Sequence, residues 1–106
     1  MARLEAIGSR SPEKAKLLGI GRIFDSYEAL LADSDIDAVY IPLPNHLHVE
    51  WAVAAARAGK HVLCEKPLSM TVAEAEQLMA VQRETGVQIG EAFMVATHPQ
   101  WLLARQ

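Results

Sequence analysis

The chain has a single cysteine, no apolar stretch long enough to cross a membrane, no basic cluster and no G-x-G-x-x-G. One cysteine excludes an internal disulfide and fits a reducing compartment. A membrane-spanning helix needs about 20 consecutive apolar residues, and the chain offers no such run. The N-terminus lacks the charged-then-apolar pattern of a secretory signal. Basic residues number 10 against 13 acidic, a net charge of −3, and no basic stripe is interleaved with aromatics. Nucleic acid is therefore not an expected partner, nor is a membrane. Gly19-Ile20-Gly21 is too short for a dinucleotide fingerprint and follows a helical segment rather than a strand. There is no internal repeat, low-complexity tract or linker. A soluble cytoplasmic protein is the expectation.

What is there is a 106-residue chain, 51% apolar, enough for one domain or part of one. Strand-like and helix-like segments alternate. Leu4–Gly8 reads as a strand, and Ser11-Pro12-Glu13-Lys14 as a helix start, with Ser11 as cap and Pro12 at the first helical position. Arg22-Ile23-Phe24 reads as a short strand, and Ser26 caps a helix from Tyr27 to Ala32. Ala38–Ile41 is compact and apolar, the pattern of a buried strand. From His46 to Ala58 the period is helical, with Val49, Ala52, Val53 and Ala56 on one face, and Gly59 ends it. His61–Cys64 reads as another buried strand. Thr71-Val72-Ala73-Glu74 is a capping box, opening a helix with Val72, Ala75, Leu78 and Met79 as its apolar face, ended by Thr85-Gly86. Val87–Glu91 is a final strand. This alternation argues for a parallel sheet with crossover helices. No domain boundary precedes His98. Pro99 and Trp101-Leu102-Leu103 begin something the chain does not complete.

The most informative feature is Glu65-Lys66-Pro67. A strand that ends on a carboxylate and an amine presents both at the carboxyl edge of a sheet, where open α/β sheets bind ligands. A lysine there can hold a cofactor hydroxyl, polarise a carbonyl or carry a proton. The plainer reading is a surface ion pair of little energetic weight. Pro42-Leu43-Pro44-Asn45 forms a rigid ledge with few backbone donors, suited to a flat ring, and is followed by His46 and His48. The alternative is a capped helix start with solvated histidines. Two residues apart, these histidines make a poor metal pair. Ser9-Arg10 after the first strand is either a polar loop or a place for the 2′-phosphate of NADP, which arginine suits. Cys64 reads as a core cysteine, although a nearby ammonium would lower its pKa. Trp51 and Trp101 read as packing residues.

Taken together, the segments resemble the N-terminal part of the Gfo/Idh/MocA oxidoreductase family. The resemblance is carried by Ala6–Ser11, Ser26–Leu31, Asp37–Asn45 with His48, Ala58–Pro67, and Glu91–Met94 with His98-Pro99-Gln100. It implies a Rossmann-like α/β fold lacking its first strand and glycine-rich loop, which would lie before Met1. Residues 1–97 would be a partial NAD(P)-binding domain, and 98–106 the start of the connection to an α/β substrate domain. It implies Lys66 as the catalytic-site lysine. Glu65 and Pro67 would shape the nicotinamide pocket, with Pro42, Leu43, Pro44, Asn45 and His48 lining the cofactor groove. Ser9 and Arg10 would meet the adenosine ribose or its phosphate, favouring NADP over NAD. The implied reaction is reversible hydride transfer at a sugar, polyol or related carbinol, in a parent that forms homo-oligomers. Family members often carry an arginine shortly before the His-Pro-Gln segment, where this chain has Val95-Ala96-Thr97. The family's second acid/base belongs to the substrate domain, so these 106 residues alone are expected to show little or no catalysis. A non-catalytic nucleotide-binding module, or an inactive gene remnant, is the alternative expectation.

Overall fold

A computed structural model describes residues 2–104. The chain forms two compact units, one running to Asp37 and the other starting at Ala38. Both are built from parallel strands joined by helices.

In the first unit, β1 (Ala6–Gly8) and β2 (Arg22–Phe24) pair in parallel with Ile7 beside Ile23. The ladder starts at Ala6 rather than Leu4, which stays exposed. Between the strands lies α1 (Pro12–Lys16). Ser11 precedes it, but its side chain makes no cap bond. Its carbonyl accepts from Lys14 N and Ala15 N at 3.0 and 3.2 Å, while its own N–H is taken by the Ser9 hydroxyl at 3.0 Å. The hydroxyl that organises this loop is thus Ser9, two residues earlier than the cap pattern suggests. Ser26 does cap α2 (Tyr27–Ala32), accepting from Ala29 N at 3.1 Å. The helix lies close to β1: a β-carbon on Gly8 would meet Leu30 Cδ1 at 3.3 Å. Arg22 ion-pairs with Asp33 and lies over the Phe24 ring, 5.4 Å from its centre.

In the second unit the strand order is β3 (Ala38–Ile41), β4 (His61–Glu65), β5 (Ile89–Ala92), all parallel. Right-handed crossovers that step the same way along a sheet put their helices on the same face. Accordingly α3 (His48–Arg57) and α4 (Val72–Thr85) pack on each other, with α3 against β3 and β4. Alanines 52, 55 and 56 are fully buried there, small enough to bring α3 close. The core under the helices holds Ile41, Val62, Cys64, Leu78 and Val81.

The opposite face is open, which corrects the expectation of two fully buried strands: Tyr40 is 54% exposed and Leu63 48%. The two sit side by side in the register. The apolar face expected of α4 is also shifted. Leu78 and Val81 are buried, while Val72 and Met79 are exposed, because the helix packs on α3 and covers the Leu78–Val81 side. After β5 come a single 3₁₀ turn at Met94–Ala96 and a short helix, α5 (Pro99–Ala104). Among the described residues no helix is long and apolar enough to cross a membrane.

The capping box of α4 forms as expected. Thr71 Oγ1 accepts from Glu74 N, and Glu74 Oε2 accepts from Thr71 N, both at 3.2 Å. Thr71→Ala is expected to lower stability by about 1 kcal/mol, read as a lower urea midpoint at unchanged slope. An unchanged midpoint contradicts a role for the box. Cys64 is fully buried, and burial, aided by the negative charges of Glu65 and Glu91, pushes its thiol up to about 11. With the folded value raised, the stability tied to the neutral thiol is complete below the unfolded value of about 8.5. It is lost as pH climbs toward the folded value. Cys64 is therefore expected to react slowly with a thiol reagent at pH ~8 and to become reactive only when urea unfolds the chain. Rapid labelling without urea would refute this.

Candidate functional site

The parallel register sets Ile41 beside Cys64, so the chain leaves β3 and β4 from the same edge of the sheet. That is the carboxyl edge, where the loops of an open α/β sheet form its ligand crevice. From β3 comes Pro42-Leu43-Pro44, with Pro42 and Pro44 exposed, then the 3₁₀ turn Asn45–Leu47 leading into α3. Asn45 sits inside that turn, exposed, rather than capping a helix from His46. From β4 comes Lys66-Pro67, joined by a cis peptide bond.

His48, the first residue of α3, ties these two loops together. It is 0% exposed. Its Nδ1 lies 2.7 Å from the Pro67 carbonyl oxygen and its Nε2 lies 2.6 Å from that of Leu43. Both ring nitrogens are thus engaged by backbone. The remainder of the β4–α4 loop is fixed from two further sides. Leu68 N donates to Glu91 Oε2 at 2.8 Å, and Met70 N to Glu74 Oε2 at 2.7 Å. Within this pinned loop Lys66 is exposed, and its ammonium belongs to no ion pair among the described residues. A rigid backbone presenting one unpaired, solvent-facing ammonium is suited to act on something that arrives.

Glu65 is not simply the partner of that lysine. Its Oε1 accepts from the Tyr40 hydroxyl at 2.5 Å, and its Oε2 accepts from Lys66 N at 3.3 Å. The Tyr40 bond is the largest cause holding the Glu65 carboxyl below its usual range. The Lys66 N–H and the charges of Lys66 and His48 add to it, against an opposing push from partial burial. The same bond raises the Tyr40 phenol, as do burial and the neighbouring negative charge. Tyr40 escaped the sequence reading. The signal that could have found it is the strand alternation: Tyr40 pairs with Leu63, and Glu65 lies two residues further along the same face, a diagonal an aromatic side chain can reach.

In the first unit, Ser9 follows β1, its N–H donating to Phe24 O at 3.0 Å and its hydroxyl occupied by Ser11 N. Arg10 is exposed, outside any ion pair among the described residues. The structure thus brings Leu43, His48, Glu65, Lys66 and Pro67 into one site on the second unit, with Tyr40 added. Ser9 and Arg10 stand on the first. Among the described residues no group of three or more His, Cys, Asp or Glu side chains could hold a metal ion.

Glu65→Gln is expected to return the Tyr40 phenol toward its ordinary value of about 10. An alkaline absorbance titration, with Tyr40→Phe to subtract Tyr27, reads this. A phenol that titrates identically with and without the Glu65 carboxylate would disprove the pairing.

Comparison with known proteins bears on what this geometry serves. The chain is 50% identical over 98 residues to D-xylose 1-dehydrogenase (NADP(+)) 2 of Haloferax volcanii, covering 89% of this chain and 30% of that protein. It is 48% identical over 103 residues to the dTDP-3,4-didehydro-2,6-dideoxy-alpha-D-glucose 3-reductase of Actinomadura kijaniata, covering 94% and 31%. The chain therefore spans less than a third of the length of these relatives. The crystal structure of KijD10, a 3-ketoreductase from A. kijaniata in complex with NADP and TDP-benzene, superposes with a TM-score of 0.92 at 47% identity, over 96% of this chain and 32% of that one. Apo scyllo-inositol dehydrogenase from Lactobacillus casei gives 0.87 at 29% identity, over 99% and 32%. Residues 1–93 match the family described as oxidoreductases with an NAD-binding Rossmann fold. With that match extending over most of the 106 residues, the chain belongs to the Gfo/Idh/MocA oxidoreductase family.

Proposed function

We propose that these residues form the nicotinamide side of the cofactor site in an NADP-preferring oxidoreductase acting on a sugar, polyol or related carbinol, with Lys66 as its catalytic lysine. The observation that carries this reading is Lys66 itself, exposed and unpaired on a loop fixed by His48 and Glu91. The residues fit such a cofactor. Pro42 and Pro44 offer an exposed ledge without backbone donors at the edge where Lys66 emerges, a surface for a flat ring rather than for a phosphate. Asn45 and Pro67 border the same edge. Ser9 and Arg10, at the carboxyl end of β1, are the chain's candidates for the ribose and its 2′-phosphate.

When bound, the nicotinamide supplies hydride exchange with the carbinol carbon. The Lys66 ammonium would hold the reacting oxygen and stabilise the negative charge that develops on it during reduction. Glu65, kept ionised by Tyr40, would keep the strand end and the Lys66 N–H in place. The similarity to sugar-acting oxidoreductases, two of which carry NADP in their names or crystal structures, favours this reading over a non-catalytic module. We further propose that residues 98–106 open the connection to a substrate domain, that the complete protein is cytoplasmic, and that it assembles as a homo-oligomer. The greater length of the relatives supports the first point and the single free, buried cysteine the second; the third rests on the family resemblance.

Two variants of the complete protein test the proposal. Lys66→Met is expected to reduce kcat by about 100-fold or more with NADPH affinity largely kept. Arg10→Ala is expected to weaken NADPH binding by about tenfold or more, leaving NADH binding unchanged. Full turnover in the first, or equal effects on both cofactors in the second, would contradict the assignment.

A further inference from the structure

We infer that His48 is held as the doubly protonated imidazolium, and that this cation positions the Lys66-Pro67 loop by donating one hydrogen bond to it and one to the Leu43 loop. The argument begins with what the ring faces. Both partners are backbone carbonyl oxygens, which accept and cannot donate. Neutral imidazole carries one N–H and one lone pair. In either neutral tautomer one nitrogen lone pair would therefore point at a carbonyl oxygen 2.6 or 2.7 Å away, with no water to intervene at a side chain that is completely buried. An imidazolium removes the conflict, since both nitrogens then donate. Both contacts are as short as charge-assisted hydrogen bonds are.

A buried cation needs compensation. Glu65, at the end of β4, offers a carboxylate on the same loop, held below its usual range chiefly by the Tyr40 hydroxyl. On β5, Glu91 places a second carboxylate on the same loop, at Leu68, and on α3 itself Glu50 stands in the first turn. Against the cation act the Lys66 ammonium and the positive end of the α3 dipole. Cys64, its thiol neutral, contributes no charge. The other histidines show the contrast. His61 Nδ1 accepts from Gln88 N at 3.0 Å, and His98 Nδ1 accepts from Gln100 N at 3.2 Å. Those nitrogens must be unprotonated, whereas neither nitrogen of His48 has a donor to receive.

This makes His48 a positioning residue, acting on Lys66 through the backbone carbonyls of Pro67 and of Leu43 in the neighbouring loop. Its protonation state stands on geometry alone, and only its consequence for catalysis rests on the proposed role of Lys66. The test is a long-range ¹H–¹⁵N correlation of the protein labelled with ¹⁵N-histidine, near neutral pH, with His48→Gln to assign the ring. His48 is expected to show two proton-bearing nitrogens while His61 shows one bare nitrogen. One bare nitrogen on His48 overturns the inference. A second readout keeps the positioning claim open to failure. His48→Gln should shift the backbone amides of Leu43 and Lys66 together, and amides of those two loops that stay in place would refute it. Should the variant not fold, the wild-type nitrogen signals still decide the matter. Failure of the Lys66 reading shows separately, as turnover retained in Lys66→Met, and leaves the His48 signals unaffected.

Discussion

The parallel register of β3 with β4 is the constraint from which the site follows. Because Ile41 lies beside Cys64, two loops distant in sequence leave the sheet next to each other, and one buried ring can span them. A shift of one residue would turn Cys64 to the open face and Leu63 to the helices. Neither the His48 bridge nor the Tyr40–Glu65 bond would then have its geometry. The register is held in turn by α3 and its fully buried alanines, which let the helix lie against β4, so a small-residue helix face and the loop-bearing edge are parts of one packing solution.

Two adjacent residues of β4 show how the sheet sorts chemistry by face. Cys64 points beneath the helices, where burial raises its thiol and silences it. Glu65 points to the open face, where a phenol and a backbone N–H keep its carboxylate ionised. The same strand therefore stores an inert sulfur on one side and a fixed charge on the other. Directly after them comes Lys66, whose ammonium pairs with neither. An exposed Lys–Glu surface pair carries little energy. Here the glutamate is committed to Tyr40, and the lysine is left for another purpose.

The parts of this fold legible in the sequence were those written locally. Ser26, the Thr71–Glu74 box and Gly86 each mark a helix end through backbone groups a few residues away, and strand–helix alternation gives the parallel sheet. Ser11 misled because a serine before Pro12 fits the cap pattern, yet its side chain makes no cap bond and it is the Ser9 hydroxyl that accepts from the backbone here. Val72 and Met79 misled because which side of an apolar helix is covered depends on the neighbour it meets. Strand burial misled because runs of apolar residues do not say that both crossover helices fall on one face. At the site, Glu65-Lys66-Pro67 stood out by its place after a strand. The hydrogen bond from Tyr40, 25 residues away, and the two carbonyls around His48 are tertiary facts that no local pattern encodes. The family resemblance pointed to the residues of this edge but not to the division of labour among them.

The central claim is that Lys66 is the group this edge is built to present. The most direct measurement is a crystal structure of the complete protein with NADP bound. The account expects the nicotinamide against the Pro42–Pro44 ledge, the Lys66 ammonium facing the position of the reacting substrate oxygen, and His48 still enclosed between Leu43 and Pro67. A nicotinamide bound elsewhere, with Lys66 turned to solvent or paired with Glu65, would contradict it.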